Sequence, residues 1–217
     1  MNKAPILITS NLNKNFGNQP VLENINFEVK KGEKIALIGE NGTGKTTLIK
    51  IISGLLKPTS GIVQIDECDM HNNNIEKPAI GICIDELMLD QRLSVFENLE
   101  FYAKLMPIKN PTNEIGKLLE IFACNHIVNA QIDLLSSGMQ QRINLIRSLL
   151  NIKEQKILLL DEPTKNLDHN SKKTLMNKIF CKDDLTIIVA THDIDNISSW
   201  ASKIIEIKNN KIEIKEI

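Results

Sequence analysis

The segment that most constrains the architecture is Gly39-Glu-Asn-Gly-Thr-Gly44-Lys45-Thr46-Thr47. It fits the pattern GxxxxGK[ST], whose glycines let backbone N–H groups converge on the oxygens of a phosphate chain. A short apolar run precedes it at residues 35–38, and apolar residues with helical spacing follow it at 48–56. A strand, a glycine-rich loop and a helix in this order are the context that the pattern requires. The sequence therefore predicts a phosphate-binding loop in an α/β fold.

The side chains of this loop have separate predicted roles. We expect Lys45 to place a positive charge between the β- and γ-phosphates and so to assist catalysis, the Thr46 hydroxyl to bind Mg²⁺, and Thr47 to contact the α-phosphate. The N-terminus of the following helix adds positive potential. The predicted nucleotide-binding residues of the loop are Gly39, Asn41, Gly42, Gly44, Lys45, Thr46 and Thr47.

A second apolar run, Ile-Leu-Leu-Leu at residues 157–160, ends in Asp161 and Glu162. Ligands of parallel α/β sheets bind at the carboxyl ends of the strands, so we expect these carboxylates near the phosphate-binding loop. Asp161 can then hold Mg²⁺ through water, and Glu162 can polarise the attacking water molecule. An acidic surface turn is the alternative for this pair taken by itself.

The remaining pattern divides the chain into a β-rich beginning, a helical middle and an α/β end. The predicted strands are residues 6–9, 25–29, 35–38, 62–65, 80–84, 157–160 and 185–190, with a C-terminal hairpin at 204–207 and 211–214. The predicted helices begin at a capping box at Ser94 and Glu97 and at residues 112 and 138, besides the helix after the loop and one between the last two strands. We therefore expect an α/β core at about 1–85 and 151–217 with a helical insertion at about 86–150.

Composition limits the partners. The formal net charge is −1, so nothing favours binding to nucleic acid. The four cysteines form no CxxC pair, which favours reduced thiols in the cytosol over a zinc or redox site. The sequence has no apolar run of about 20 residues and no hydrophobic region of a signal peptide. We therefore expect another chain to supply any membrane-spanning part.

Further short motifs follow the same order as in the ABC ATPase family, and the resemblance covers almost the whole chain. Leu135-Ser136-Ser137-Gly138-Met139 looks like the family signature, residues 163–168 (Pro-Thr-Lys-Asn-Leu-Asp) resemble its D-loop, and Thr191-His192-Asp193 resembles its switch. Phe16 resembles the aromatic residue that stacks on adenine. Taken alone, the Ser-Ser-Gly of the signature is also typical of a helix N-cap, and His192 is typical of a structural residue at a strand end. Phe16 alone is typical of core or turn packing.

The resemblance implies a fold and an assembly. The fold is one ABC ATPase domain over residues 1–217, with a P-loop RecA-like core, an N-terminal antiparallel β subdomain and an inserted α-helical subdomain. The resemblance implies that two copies, or this chain and a homologous subunit, join head to tail. Each ATP would then lie between one phosphate-binding loop and the other chain's Ser136 and Gly138. By the same resemblance, we expect His192 to contact the γ-phosphate. ATP and Mg²⁺ are the implied cofactors, and a membrane-spanning transporter subunit is the implied partner, which places the chain in the cytoplasm on the inner face of the cell membrane.

The sequence departs from the family pattern at two places. Ser137 and Met139 replace the usual glycine and glutamine, and signatures that end in Gly-Met resemble those of drug, antibiotic and lipid exporters. Asp85 stands where the family has a glutamine that reaches the metal and senses the membrane subunit. Asp85 is therefore either a metal-proximal residue or a solvated loop acid, and Glu86 is the candidate if the register differs by one.

The expected function is ATP binding and hydrolysis that powers a separate membrane partner, with an exporter favoured. A soluble ABC ATPase of the iron–sulphur cluster assembly type is the alternative from another class. A nucleotide-binding module without catalysis is disfavoured because Lys45, Asp161, Glu162 and His192 are all present. Haem, lipids, drugs and peptide antibiotics all remain open as cargo.

Overall fold

The computed structural model describes residues 4–192 and 197–217, which form two sheets and a set of helices. The strands are β1 (Pro5–Phe16), β2 (Gln19–Lys30), β3 (Lys34–Ile38), β4 (Ser60–Ile65), β5 (Cys68–Asp69), β6 (Ile80–Cys83), β7 (Ile157–Asp161), β8 (Ile187–Ala190), β9 (Lys203–Lys208) and β10 (Lys211–Glu216). The α-helices are α1 (Lys45–Ile52), α2 (Val95–Lys104), α3 (Pro111–Ile121), α4 (Ser137–Ser148) and α5 (His169–Thr174). A π-helical segment, Leu175–Phe180, continues α5, and short 3₁₀ turns lie at Asn125–Ile127, Ile132–Leu134 and Ile197–Ser199.

The larger sheet is the α/β core. Its strand order is β10-β9-β3-β8-β7-β6, and every neighbouring pair is parallel except β9 and β10. β7 and β8 are fully buried, as expected of parallel strands whose two faces are both covered. β8 pairs with both β3 and β7, with Ala190 opposite Leu37 and Asp161. The carboxyl ends of β3 and β7 therefore meet at the same edge, where the phosphate-binding loop begins.

The smaller sheet is antiparallel, in the order β2-β1-β4-β5. Its first two strands are longer than the sequence predicted, because β-bulges interrupt the alternation of buried and exposed residues. Asn11 and Asn24 adopt positive φ at these irregularities. The Asn11 N–H donates to Asn26 Oδ1 at 2.8 Å, and the Asn24 N–H donates to Asn13 Oδ1 at 2.9 Å. Asparagine side chains thus replace the missing ladder bonds, and the strands continue past the bulges.

The helices between β6 and β7 follow their local signals. Ser94 accepts from the Glu97 N–H at 3.2 Å and the Ser94 N–H donates to the Glu97 carboxylate at 2.8 Å, which confirms the capping box. These helices share one buried apolar cluster with the core sheet: Leu99 of α2 and Ile146 of α4 belong to the same cluster as Leu158 of β7. The bounds of the helical subdomain at about 86 and 150 stay a prediction.

Other element ends also differ from expectation, and that of α1 differs by several residues. α1 ends at Ile52 rather than near residue 56, because Gly54 follows with φ +82° and turns the chain, which leaves Leu55 exposed. The last predicted strand begins at Ile187 rather than at 185. The C-terminal hairpin is confirmed, with Asn209 and Asn210 both at positive φ, as a tight two-residue turn requires. Among the residues described, no helix combines the length and apolar character needed to cross a bilayer.

Candidate nucleotide-binding site

The phosphate-binding loop joins β3 to α1 and depends on close backbone approaches. Gly39 has φ +150°, and a Cβ there would lie 2.7 Å from the Ile207 carbonyl oxygen. Gly44 has φ +104°, and its Cβ would lie 2.9 Å from a methyl group of Val21. Larger residues at either position would open the loop.

Lys45 folds back over the loop that it follows. Its Nζ donates to the carbonyl oxygens of Gly39 at 2.7 Å and Glu40 at 2.9 Å. The residue is 7% exposed. Two neutral carbonyl acceptors therefore hold the Lys45 ammonium group beside the loop. An anion, which accepts a stronger hydrogen bond from a charged donor, can replace them.

A cavity of about 290 Å³ lies against the loop and α1. Its lining residues are Val21, Asn41, Gly42, Gly44, Lys45, Thr46, Thr47, Asp85, Asp161 and Glu162. Nine of these were predicted site residues, so the fold brings together side chains from three separate parts of the sequence. Val21 was missed because it lies in the part of β2 beyond the strand that alternation predicted. Gly39 contributes its carbonyl to Lys45 without lining the cavity.

Thr46 and Asp161 contact each other across the cavity. The Thr46 hydroxyl donates to Asp161 Oδ2 at 2.5 Å. Burial raises the pKa of the Asp161 carboxyl, the Thr46 hydrogen bond opposes that shift, and the charges of Glu162 and Asp85 add to it. A buried carboxylate beside a hydroxyl oxygen is a site that a small divalent cation would stabilise.

Magnesium fits these donors. Within the described ranges, no group of three or more His, Cys, Asp or Glu side chains is arranged to hold a metal ion. Mg²⁺ commonly needs only one or two protein ligands, because phosphate oxygens and water complete its octahedron. Thr46 and Asp161 supply such a pair of hard oxygen ligands.

Glu162 points towards His192. Its Oε1 lies 2.9 Å from His192 Nδ1, and Glu162 is much the less exposed of the two side chains. The Glu162 backbone has φ +47°, an uncommon conformation that the N–H hydrogen bond to the Ala190 carbonyl oxygen at 2.9 Å helps to hold. Glu162 therefore lines the cavity and also contacts His192, which is not part of the lining. Asp193, the last residue of the predicted switch, lies outside the described residues.

Asp85 also lines the cavity, in the loop after β6. Its two carboxylate oxygens lie 3.0 and 3.2 Å from Lys165 Nζ. Glu86, the candidate for a shifted register, instead pairs with Lys50 at 2.5 Å. The sequence did not single out Lys165, since nothing local marks a contact between residues 80 positions apart.

The signature residues lie away from this cavity. Ser136 caps α4 by accepting from the Met139 N–H at 3.3 Å. A Cβ on Gly138 would lie 2.6 Å from the Asn166 carbonyl oxygen, so the signature packs against the segment that follows Glu162. Neither residue lines the cavity of its own chain.

Phe16 also lies outside the cavity lining. Its ring is about half exposed at the end of β1, with Lys14 Nζ 4.9 Å from the ring centroid. Stacking of this ring on a base stays a prediction.

Comparison with known proteins gives a consistent picture. A family model described as "ABC transporter" matches residues 22–165. The Fe(3+) ions import ATP-binding protein FbpC of Vibrio cholerae is 30% identical over 217 residues, which are 98% of this chain and 61% of that protein. The sulfate/thiosulfate import ATP-binding protein CysA of Mesostigma viride is 34% identical over 212 residues, 95% of this chain and 60% of that protein. The chain thus spans about three fifths of the length of these relatives.

Two solved structures extend the comparison. A dimeric ATP-binding cassette in a post-hydrolysis state with ADP and Pi has a TM-score of 0.85 at 27% identity, over 97% of this chain and 98% of that one. The protein cbiO1 of Clostridium perfringens, part of the ABC transporter complex cbiONQ, has a TM-score of 0.79 at 29% identity, over 99% of this chain and 89% of that one. The predicted α/β core with an antiparallel β subdomain is therefore confirmed.

Proposed function

Because the chain belongs to the ABC transporter family, we propose that it is an ATP-binding and ATP-hydrolysing subunit that powers a separate membrane-spanning partner. The observation that carries the proposal is the contact of Thr46 with Asp161, with Glu162 next in the chain. This contact joins the end of β7 to the phosphate-binding loop, which follows β3. A cation site and a water-activating carboxylate then face the same space.

The residues of the cavity divide the work of hydrolysis. Lys45 leaves the carbonyl oxygens of Gly39 and Glu40 for the phosphates, whose charge makes them better acceptors. Thr46 and Asp161 would hold Mg²⁺, which would neutralise charge on the phosphates. Glu162 polarises the attacking water. His192 orients the Glu162 carboxylate through their 2.9 Å contact.

A second chain would complete the site. Ser136 and Gly138 do not line the cavity of their own chain, and we infer that they meet the nucleotide of a second copy or a homologous subunit. The dimeric cassette bound to ADP and Pi supports this arrangement by similarity. We place the dimer at the cytoplasmic face of the membrane, against its transporter subunit.

Transport is favoured over the alternative in cluster assembly, since the named relatives are import subunits. Those names also favour import over the export that Gly138 and Met139 predicted. In this proposal the membrane-spanning partner selects the cargo.

The substitution Glu162→Gln tests the proposal. An amide keeps the shape of the side chain but cannot accept a proton as a carboxylate does, so we expect ATP binding to persist and turnover to fall by at least about a hundredfold. Glu86→Gln is the matched control, because it makes the same chemical change outside the cavity. Glu86 is next to Asp85 in the sequence, but it pairs with Lys50 and does not line the cavity. ATP hydrolysis at the wild-type rate in Glu162→Gln would overturn the assignment.

A further inference from the structure

An ion pair beside the cavity joins two loops that carry site residues. Lys165 Nζ contacts both carboxylate oxygens of Asp85, at 3.0 and 3.2 Å. Asp85 follows β6 and lines the cavity, whereas Lys165 follows β7, three residues after Glu162. Both side chains are about half exposed, so each can also reach water or another ion.

The backbone on each side of this pair is fixed by neighbouring contacts. The Asn144 amide is fully buried and donates to the carbonyl oxygens of Ile84 at 3.2 Å and Glu86 at 3.4 Å, one on either side of Asp85. The Lys165 N–H donates to the Glu162 carbonyl oxygen at 3.0 Å. The backbone on each side of the pair is therefore already held by hydrogen bonds, and only the two side chains lose freedom when they meet.

The pair changes the charge that the cavity presents. Of the described residues, three carboxylates line the cavity, those of Asp85, Asp161 and Glu162, together with one cation, that of Lys45. Lys165 offsets the charge of Asp85 from outside the lining. A carboxylate engaged by an ammonium group attracts a divalent cation less than a free one does.

We propose that Lys165 is a positioning residue that competes with Mg²⁺ for Asp85 and so sets the Mg²⁺ concentration at which nucleotide binds. The proposal rests on the function proposed above. Asp85 attracts Mg²⁺ when its carboxylate is free, and it attracts Mg²⁺ less when Lys165 is paired with it. Removal of Lys165 therefore strengthens the response to Mg²⁺, and removal of Asp85 weakens it. Lys165 has no effect once Asp85 is gone.

The test is the Mg²⁺ dependence of nucleotide binding, measured with a fluorescent ATP analogue so that hydrolysis is not the readout. An exposed ion pair changes an equilibrium by up to about fivefold. We expect the Mg²⁺ concentration for half-maximal binding to fall by about two- to fivefold in Lys165→Ala and to rise by about the same factor in Asp85→Asn. The double variant should match Asp85→Asn.

Two controls make the result specific. Lys165→Arg keeps a cation against Asp85 and should resemble the wild type. Lys104→Ala removes another exposed pair, with Glu100 at 2.9 Å on α2, and should leave the Mg²⁺ curve unchanged. Superimposable curves for Lys165→Ala and the wild type, or a shift of Lys165→Ala to higher Mg²⁺, would overturn the proposal alone. Absence of nucleotide binding by the wild-type chain would instead overturn the proposed function.

Discussion

The guanidinium of Arg147 lies over the ring of Tyr102, 4.9 Å from its centroid, and is almost fully buried, with neutral hydrogen-bond acceptors among the described residues. Arg147 donates to the Ile82 carbonyl oxygen at 2.6 Å and to Asn144 Oδ1 at 3.1 Å. Burial lowers the pKa of the guanidinium, which nevertheless stays charged. This cation ties α4 and α2 to β6, the strand that leads to Asp85.

Replacement of this cation should destabilise the fold. Arg147→Ala removes the ring contact and leaves the Ile82 carbonyl oxygen without its donor, so we expect a loss of about 2–4 kcal/mol in the free energy of unfolding. Tyr102→Phe is the milder comparison, because it removes only the hydroxyl that donates to the Met88 carbonyl oxygen, at about 0.5–1.5 kcal/mol. Urea denaturation measures both. Equal stability of Arg147→Ala and the wild type would contradict this role.

Two glycines in helices should respond oppositely to alanine. A Cβ at Gly138 would lie 2.6 Å from a backbone carbonyl oxygen, whereas one at Gly116 in α3 would have no neighbour within 4 Å. We expect Gly116→Ala to stabilise the chain by about 0.5–1 kcal/mol, because alanine favours the helix. Gly138→Ala should destabilise it by about 1–3 kcal/mol. Thermal unfolding of the two variants decides the point, and a stabilised Gly138→Ala would refute the close packing.

Ser136 allows its structural and functional roles to be separated. Aspartate also caps helices well, so Ser136→Asp should keep the stability of α4 within about 0.5 kcal/mol. Its negative charge would repel the phosphate of a second chain's nucleotide, and ATP-dependent dimerisation should be lost. Asn110→Asp makes the matching change at the N-cap of α3 and should dimerise normally. Size-exclusion chromatography with ATP in the Glu162→Gln background reads the outcome. Undiminished dimerisation of Ser136→Asp would remove Ser136 from the interface.

The buried carboxylate of Asp161 links stability to pH. Its pKa is raised mainly by burial, so the native chain holds the proton to higher pH than the unfolded chain does. The stability of the unliganded chain should therefore fall as the pH rises through the native pKa of Asp161. Asp161→Asn removes this loss, and it should be more stable than the wild type at neutral pH, with a gain that shrinks in acid. Denaturation at several pH values without Mg²⁺ measures the difference. A variant less stable than the wild type at neutral pH would contradict this prediction.

Sequence reasoning found those parts of the fold and the site that follow local rules. The phosphate-binding loop, the Ser94 capping box and the acids after β7 each combine residue types with short spacings, and all lie where they were expected. Contacts between distant residues were missed, as at Val21 beside Gly44. The lengths of β1 and β2 were missed where bulges occur at Asn11 and Asn24. Hydrogen bonds to asparagine side chains replace strand-to-strand bonds there, and they produce no alternation of apolar and polar residues that the sequence could show.

The close approach of Gly138 to Asn166 has a consequence for timing. In a dimer whose two sites are each built from both chains, α4 of the first chain would contact the nucleotide of the second chain. In the first chain, Asn166 also lies four positions after Glu162, which serves that chain's own nucleotide. Release of phosphate at one site would then shift Glu162 at the other site. The two ATP molecules would be consumed in a correlated sequence, and hydrolysis would depend on ATP concentration with a Hill coefficient above one.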